Sequence, residues 1–219
     1  MATVVFDFDG TLHETMVVYR EALQRGYDWL VSRGFAQPRQ LDDALMVGNI
    51  GLTAQEAWAR MCPDVPWSVS GQAAARVGRD MKCLIDEGHA RLYSGIPEAL
   101  QQLKDAGHEL VFLSNCSDDY CEAARGALGL DAWFDRYYTA EQFDWIPKEQ
   151  IFETIKRDCA GPYIVVGDRD KDRDLAAFHG LPFVGCAYGY GTVEELQGAA
   201  GIADAAEDIP GIIESIVAS

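Results

Sequence analysis

Two aspartates one residue apart are the strongest chemical signal in this chain of 219 residues. Asp7 and Asp9 end an apolar run that begins at Val4, and Gly10 and Thr11 follow them directly. Alternate side chains of a strand lie on the same face, so the two carboxylates would share a face if the strand continued regularly. Gly10 permits the sharp turn that brings both groups to the carboxyl end of the strand. Because like charges repel, this pairing predicts a bound metal ion or a shared proton.

Three later segments place further polar side chains at or after the ends of apolar runs. Ligands of α/β sheets bind beyond the carboxyl ends of the strands, so these side chains would converge although they are distant in sequence. Taken singly, each has a structural explanation, such as a turn, a solvated lysine or a helix cap. The residues concerned are Ser114, Asn115, Lys148, Asp168 and Asp172.

The elements that position these residues alternate between strands and helices. This alternation predicts a Rossmann-like α/β fold, with a mostly parallel sheet and helices on both faces. Residues 14–91 contain no convincing strand and four amphipathic stretches, which predicts an all-helical insertion after the first strand. The strands are expected at 3–8, 109–114, 135–139, 162–167 and 182–187, with a weaker one near 202–204. The helices between them are expected at 95–106, 118–128, 148–158, 172–179, 192–198 and 208–217.

The composition narrows the classes of partner. A net charge of −17 argues against nucleic acid and against anionic membrane surfaces, both of which require clustered Lys and Arg. Six scattered cysteines show no zinc spacing, and no apolar run approaches the ~20 residues of a membrane helix. A reduced, cytoplasmic location is therefore expected.

In their order and spacing, the four segments resemble the motifs of the haloacid dehalogenase (HAD) superfamily. The resemblance spans residues 4 to about 190, and the helical insertion resembles the C1 cap of phosphoglycolate-phosphatase-like members. It implies a HAD-like core domain formed by residues 1–13 and 92–219, and a helical cap domain at residues 14–91. One departure concerns Lys148: many relatives continue Lys-Pro-x-Pro, whereas Glu149 follows here.

The resemblance implies a role for each acidic residue. Asp7 would be the nucleophile that forms an aspartyl-phosphate intermediate. Asp9 would be the general acid and base, and it indicates a phosphatase because dehalogenase members lack an aspartate at this position. Mg²⁺ would be bound by Asp7, Asp168 and the backbone carbonyl of Asp9. Asp172 would hold a metal-bound water or Lys148.

The resemblance also implies how the substrate's phosphate is bound. The Ser114 hydroxyl and the Asn115 N–H would donate to phosphoryl oxygens, and Lys148 would neutralise phosphate charge. The turn after the nucleophile, Gly10 and Thr11, would contribute as well.

Several assignments stay open from the residues alone. Asp170 or Asp174 could take the place of Asp172, although the spacing of four residues from Asp168 favours Asp172. Substrate choice would depend on the cap, and a solvated basic face is the alternative explanation of its cations. The candidates for substrate contact are Asn49, Arg76, Arg79 and Lys82, with His13 behind the first motif.

The expected function is a Mg²⁺-dependent phosphatase that hydrolyses a small phosphorylated metabolite. A phosphomutase of the same fold and a catalytically silent binding protein are the alternatives. The chain would be a monomer or a homodimer, since no sequence feature decides between them.

Overall fold

A computed structural model describes all residues from Met1 to Ser219. Its centre is a six-stranded sheet in which every neighbouring pair of strands is parallel, in the order β3-β2-β1-β4-β5-β6. The predicted α/β fold, with a mostly parallel sheet, is confirmed. The strands are β1 (Thr3–Phe6), β2 (Glu109–Ser114), β3 (Arg136–Thr139), β4 (Tyr163–Gly167), β5 (Phe183–Cys186) and β6 (Gly201–Ala203).

Nine α-helices accompany the sheet, and four of them lie within residues 14–91. These four are α1 (Met16–Ser32), α2 (Asp43–Val47), α3 (Ala54–Met61) and α4 (Trp67–Asp86). The others are α5 (Ile96–Asp105), α6 (Asp118–Leu128), α7 (Lys148–Asp158), α8 (Asp170–His179) and α9 (Ile209–Val217). No helix is long and apolar enough to cross a membrane.

One predicted helix is wrong. Residues 193–198 form turns, preceded by an N-terminal cap in which Glu195 N donates to Thr192 Oγ1. Only one α-type bond closes, from Leu196 N to the carbonyl of Thr192. Gly198 then has a φ of +84°, a left-handed conformation that ends the helical path. The apolar periodicity here reflects a single capped turn, because the segment is too short to propagate.

The two faces of the sheet bury different apolar clusters. Val5 belongs to a cluster with residues of α7 and α8, whereas Val4 and Phe6 belong to a larger cluster that continues into the helices of residues 14–91. This alternation follows from the two-residue period of a strand. The helical region is thus joined to one face of the sheet by a continuous apolar core.

Two neighbouring chain segments, residues 12–14 and 91–93, connect the helical region to the sheet. His13 pairs with Leu92 in an antiparallel bridge, and Tyr93 N donates to the carbonyl of Leu12 at 2.9 Å. Next to them, Glu14 N donates to the carbonyl of Arg91 at 3.0 Å. The two ends of the helical region therefore lie side by side, next to the loop that follows Asp9.

Candidate active site

Three buried aspartates and one buried lysine meet at the carboxyl end of the sheet. Lys148 Nζ lies 2.6 Å from Asp7 Oδ1 and 2.7 Å from Asp172 Oδ1. Carboxylate oxygens of Asp7, Asp168 and Asp172 all lie within 4.8 Å of one another. Residues 141 positions apart in sequence are thus in direct contact.

The ends of β1 and β4 place these groups. Strand β1 ends at Phe6, two residues earlier than predicted, so Asp7 leaves the ladder beside its neighbour β4. Asp168 follows the last residue of β4, and Asp172 lies in the first turn of α8. A Cβ atom on Gly167 would lie 2.2 Å from Asp172 Cγ, so only glycine permits this close approach.

Burial and mutual repulsion shift the titration of the cluster. Burial, together with the charge of Asp172, raises the pKa of Asp168 to about 7. The same two causes raise the pKa of Asp7 well above its usual value, although Lys148 opposes the shift. Burial alone would lower the pKa of Lys148, but the charges of Asp172 and Asp7 raise it above its usual value. Lys148 therefore stays charged, while the acids resist simultaneous ionisation.

A divalent metal ion fits this cluster. Three ionised carboxylates and one lysine would leave two negative charges in a buried space, which is costly without a cation. The donors are all oxygen atoms, the ligand type that hard cations such as Mg²⁺ prefer. Asp7 and Asp168 would present carboxylate oxygens to the ion. Asp172 belongs to the same cluster, and one of its oxygens is paired with Lys148.

A glycine-rich loop after β5 covers Asp168. Tyr190 N donates to Asp168 Oδ2 at 2.7 Å, and Thr11 Oγ1 donates to Asp168 Oδ1 at 3.0 Å. A Cβ atom on Gly189 would lie 2.5 Å from Asp168 Cβ, and one on Gly10 would lie 2.4 Å from Asp168 Oδ2. Both glycines are therefore required by contact with Asp168, and the loop fixes the carboxylate that a metal would use.

Asp9 lies outside this cluster and has different partners. Its Oδ1 atom accepts hydrogen bonds from Thr15 Oγ1 at 2.8 Å and from Tyr120 OH at 2.7 Å. His13 Nδ1 lies 3.1 Å from the Tyr120 hydroxyl, which extends the network. The Asp9 side chain is 18% exposed, and the residue lines the cavity described below. The two aspartates of the first motif therefore occupy separate environments.

The turn after Asp9 differs from what the sequence predicts for phosphate binding. The N–H of Gly10 donates to the carbonyl of His13 at 3.0 Å. The N–H of Thr11 donates to the carbonyl of Phe8, and its hydroxyl donates to Asp168. Neither residue retains a free donor for a phosphate, because the turn occupies both N–H groups and Asp168 accepts from the Thr11 hydroxyl. The N–H groups of Phe8 and Asp9 donate to no backbone carbonyl, and the sequence prediction missed them.

Ser114 and Asn115 stand at the end of β2, as predicted. Ser114 is buried, and its carbonyl accepts a hydrogen bond from Ala140 N. The Asn115 side chain donates to the carbonyl of Gly51 at 2.9 Å, a contact with the helical region. Its backbone N–H donates to no carbonyl and remains available.

A cavity of about 620 Å³ lies between the helical region and the sheet. Of the 27 residues that line it, 15 are hydrophobic, which makes its surface mainly apolar. Asp9 and Asn115 line it from the sheet, and Asn49 lines it from the helical region. Trp67 and Trp145 also line it and are 43% and 41% exposed, so they stand where it meets solvent.

The structure separates the remaining candidates for substrate contact. Arg79 and Lys82 line the cavity, but the Arg76 guanidinium lies 5.0 Å from the ring centroid of Trp29 and does not. His13 is fully buried, stacks on Phe8 at 5.0 Å and does not line the cavity either. Arg76 and His13 thus pack against aromatic rings outside the cavity lining.

Sequence reasoning missed two side chains that support the site. Tyr120 reaches Asp9 from α6, and Arg169 reaches from the end of β4 to carbonyls of Val47 and Ile50. The nearest signals were the position of Tyr120 one turn after Ser117 and the adjacency of Arg169 to Asp168. Neither signal names a partner, because both partners depend on the packing of distant segments.

Solved structures with the same fold cover nearly the whole chain. A predicted phosphatase from Clostridium acetobutylicum superimposes with a TM-score of 0.81 at 22% identity, covering 98% of this chain and 99% of that one. A predicted phosphoglycolate phosphatase from Haemophilus somnus gives a TM-score of 0.80 at 21% identity, covering 97% and 98%. CbbY from Rhodobacter sphaeroides, solved with phosphate, gives 0.76 at 21% identity, covering 95% and 96%.

Sequence comparison provides a second, independent finding. A search of curated proteins gave no match. The family model of haloacid dehalogenase-like hydrolases, however, matches residues 1–180, which include Asp7, Lys148 and Asp168. By this match over most of its length, the chain belongs to the family of haloacid dehalogenase-like hydrolases.

Proposed function

We propose that the protein is a Mg²⁺-dependent phosphatase that hydrolyses a small phosphomonoester through an aspartyl-phosphate on Asp7. The observation that carries this proposal is the pairing of two aspartates with different surroundings. Asp7 lies with Asp168, Asp172 and Lys148, whereas Asp9 faces the cavity. One carboxylate is thus held for attack and the other for proton transfer.

The first step requires Asp7 to attack phosphorus. The hydrogen bond from Lys148 Nζ fixes the orientation of the Asp7 carboxylate, and burial excludes competing water. Mg²⁺ held by Asp7, Asp168 and the Asp9 carbonyl would neutralise the repulsion between carboxylate and phosphate. The P–O bond to the leaving group breaks as the bond from Asp7 to phosphorus forms.

Asp9 would protonate the departing oxygen and then activate the water that hydrolyses the intermediate. Thr15 and Tyr120 both donate to Oδ1, so the transferable proton is carried by Oδ2. Phosphoryl oxygens would accept from the N–H groups of Phe8 and Asp9, from Ser114 Oγ and from the Asn115 N–H. Lys148 would add its positive charge.

The proposed division of labour assigns residues 1–13 and 92–219 to a catalytic core domain and residues 14–91 to a cap domain. Asn115 and Arg169 of the core donate to backbone carbonyls of residues 47–51. These contacts bring the cap over Asp9, so substrate would be enclosed between the two parts during reaction.

The test is phosphate release from a generic aryl phosphate and from a panel of phosphorylated metabolites. Release that needs Mg²⁺ and stops with EDTA is the expected result. Isomerised product without free phosphate would indicate a phosphomutase instead. A beryllium fluoride adduct on Asp7 without turnover of any compound would indicate a binding protein.

The Tyr120→Phe variant is expected to lower kcat about tenfold, because a hydrogen bond to an ionised group contributes roughly 1.5–3 kcal/mol. KM should change little, since the hydroxyl is bonded to Asp9. Tyr137→Phe is the matched control: its hydroxyl donates to Asp131 on the surface. Equal kcat values for wild type and Tyr120→Phe would contradict the assigned role of Asp9.

Removing the metal is expected to make stability depend on pH. The folded pKa of Asp168 is about 7, above the unfolded value of ~3.9, so the folded state holds the proton more tightly. In EDTA, the free energy of unfolding should therefore fall between about pH 4 and pH 7, by about 4 kcal/mol from this group. Mg²⁺ should reduce the fall, because it stabilises the ionised form. Urea unfolding across this pH range, with and without Mg²⁺, measures both curves, and parallel curves would count against a metal at Asp168.

A further inference from the structure

One buried side chain of the cavity has no partner in the protein. Asn49 lines the cavity and is only 3% exposed, yet neither Nδ2 nor Oδ1 makes a hydrogen bond within the chain. Buried polar atoms without partners destabilise a fold, and they are rare in native proteins. His13 Nε2 and Trp133 Nε1 also lack partners, but neither residue lines the cavity. Asn49 alone combines both properties.

The loop that carries Asn49 is held too firmly to relieve this cost by rearrangement. All five backbone carbonyls from Val47 to Gly51 accept hydrogen bonds, so each main-chain acceptor is occupied while the side-chain amide is not. The donors, in order along the loop, are Arg169 Nη1, Arg60 Nη1, Leu52 N, Arg169 Nη1 again and Asn115 Nδ2. The backbone that carries the amide is therefore held in place before any ligand binds.

Asn49 lies on the same stretch of cavity wall as the proposed chemistry. Asp9, Asn49 and Asn115 line one cavity, and the Asn115 side chain donates to the carbonyl of Gly51, two residues after Asn49, at 2.9 Å. A leaving group protonated by Asp9 would extend along this wall toward Asn49.

We propose that Asn49 selects the leaving group of the substrate, and that it accepts a neutral group with both a donor and an acceptor, such as a carboxamide or an alcohol. This inference rests on the phosphatase function proposed above and adds the class of leaving group. A carboxamide pairs with both Nδ2 and Oδ1, whereas a carboxylate can only accept and would face Oδ1 with a negative oxygen.

The charges around the cavity agree with a neutral leaving group. Three acidic residues line it against two basic ones, and the Lys82 ammonium is paired with Asp86 at 2.7 Å. Arg79 is exposed, so its charge is screened by solvent. The apolar side chains of Ile50 and Trp58 complete the surroundings of the leaving group. The acidic residues are Asp9, Asp119 and Glu141.

Three phosphate esters of matched size test the selection. Phosphoglycolamide carries a carboxamide, phosphoglycolate a carboxylate, and isobutyl phosphate replaces the polar atoms by methyl groups. With Mg²⁺, the wild-type kcat/KM for the carboxamide should exceed those for the other two by about tenfold or more. In Asn49→Leu, which keeps the shape and removes both polar atoms, the ratio of carboxamide to isobutyl ester should fall to about one.

A thermal measurement tests the same inference without turnover. Because its amide is unpaired, Asn49→Leu is expected to raise Tm, by about 2–4 °C. Gln24→Leu is the matched control: that amide is hydrogen-bonded to the backbone of Leu41 and Arg39, so its replacement should lower Tm.

The outcomes separate this inference from the proposed function. Equal hydrolysis of the three esters, or a preference unchanged in Asn49→Leu, would overturn the selection by Asn49 and leave the phosphatase intact. A lower Tm for Asn49→Leu would overturn it as well, because the amide would then have a structural partner. Release of phosphate from none of the esters would count against the proposed function. The change in Tm would still show whether the Asn49 amide lacks a hydrogen-bond partner.

Discussion

Asp7→Asn is expected to abolish phosphate release, with a loss of about 10⁴-fold or more in kcat, as found when a nucleophile is removed from an enzyme. The amide keeps the shape of the carboxylate but cannot attack phosphorus. Folding should be unaffected, because burial and Asp172 already disfavour the charge at this position. Phosphate release under saturating Mg²⁺ and circular dichroism of the same preparation measure the two properties.

A matched control and a second variant make this result specific. Asp174→Asn removes an exposed carboxylate from the same acidic segment as Asp168 and should retain full activity. Asp9→Asn should release at most one equivalent of alcohol, because Asp7 is still present while hydrolysis of the intermediate stops. Turnover by Asp7→Asn within tenfold of wild type would exclude Asp7 as the nucleophile.

Lys148→Met is expected to cause the largest loss of stability of any single substitution considered. Its ammonium is the partner of Asp7 and Asp172, and all three side chains are almost completely buried. Removing one partner of a buried charge pair typically costs about 3–5 kcal/mol, because the remaining charges lose their compensation. The loss should be greatest in EDTA at neutral pH and smaller in acid, where the carboxylates are protonated.

Urea unfolding in EDTA measures this effect against a control from the same helix. Lys156→Met removes a half-exposed ammonium that pairs with Glu153 on the surface, and it should change the free energy of unfolding by less than about 1 kcal/mol. Activity should also be lost in Lys148→Met, even when Mg²⁺ restores part of the stability. Equal unfolding curves for Lys148→Met and Lys156→Met would show that the buried contacts do not stabilise the fold.

The arrangement of strands and acids could be predicted because both depend on local patterns. Apolar runs of four to eight residues that end in Asp, Ser or Asn identify strands of a parallel sheet and the groups at their carboxyl ends. Asp168 was found this way, whereas Asp172 was chosen by its spacing of four residues from Asp168 and by the resemblance. Helix α8 begins at Asp170, two residues before the predicted start. Local rules also located the four helices of the insertion.

The contacts between segments distant in sequence could not be predicted. The hydrogen bonds from Tyr120 to Asp9 and from Arg169 to Ile50 join residues more than 100 positions apart. No periodicity encodes such pairs, because they depend on how one folded region lies on another. The same limit applies to Thr11, whose side chain donates to Asp168, 157 residues away.

Core side chains hold the loop at residues 47–51 by its main-chain oxygens, and this has a consequence for how the enzyme could diversify. Every residue type carries the same backbone carbonyl, so Arg169 and Asn115 would make these hydrogen bonds whatever the side chains of the loop. In the proposed function, the contacts of residues 47–51 with Arg169 and Asn115 are therefore independent of the leaving group that residue 49 selects. Under the two proposals, a substitution at Asn49 is expected to change the preferred leaving group, while these contacts and the proposed attack by Asp7 stay the same.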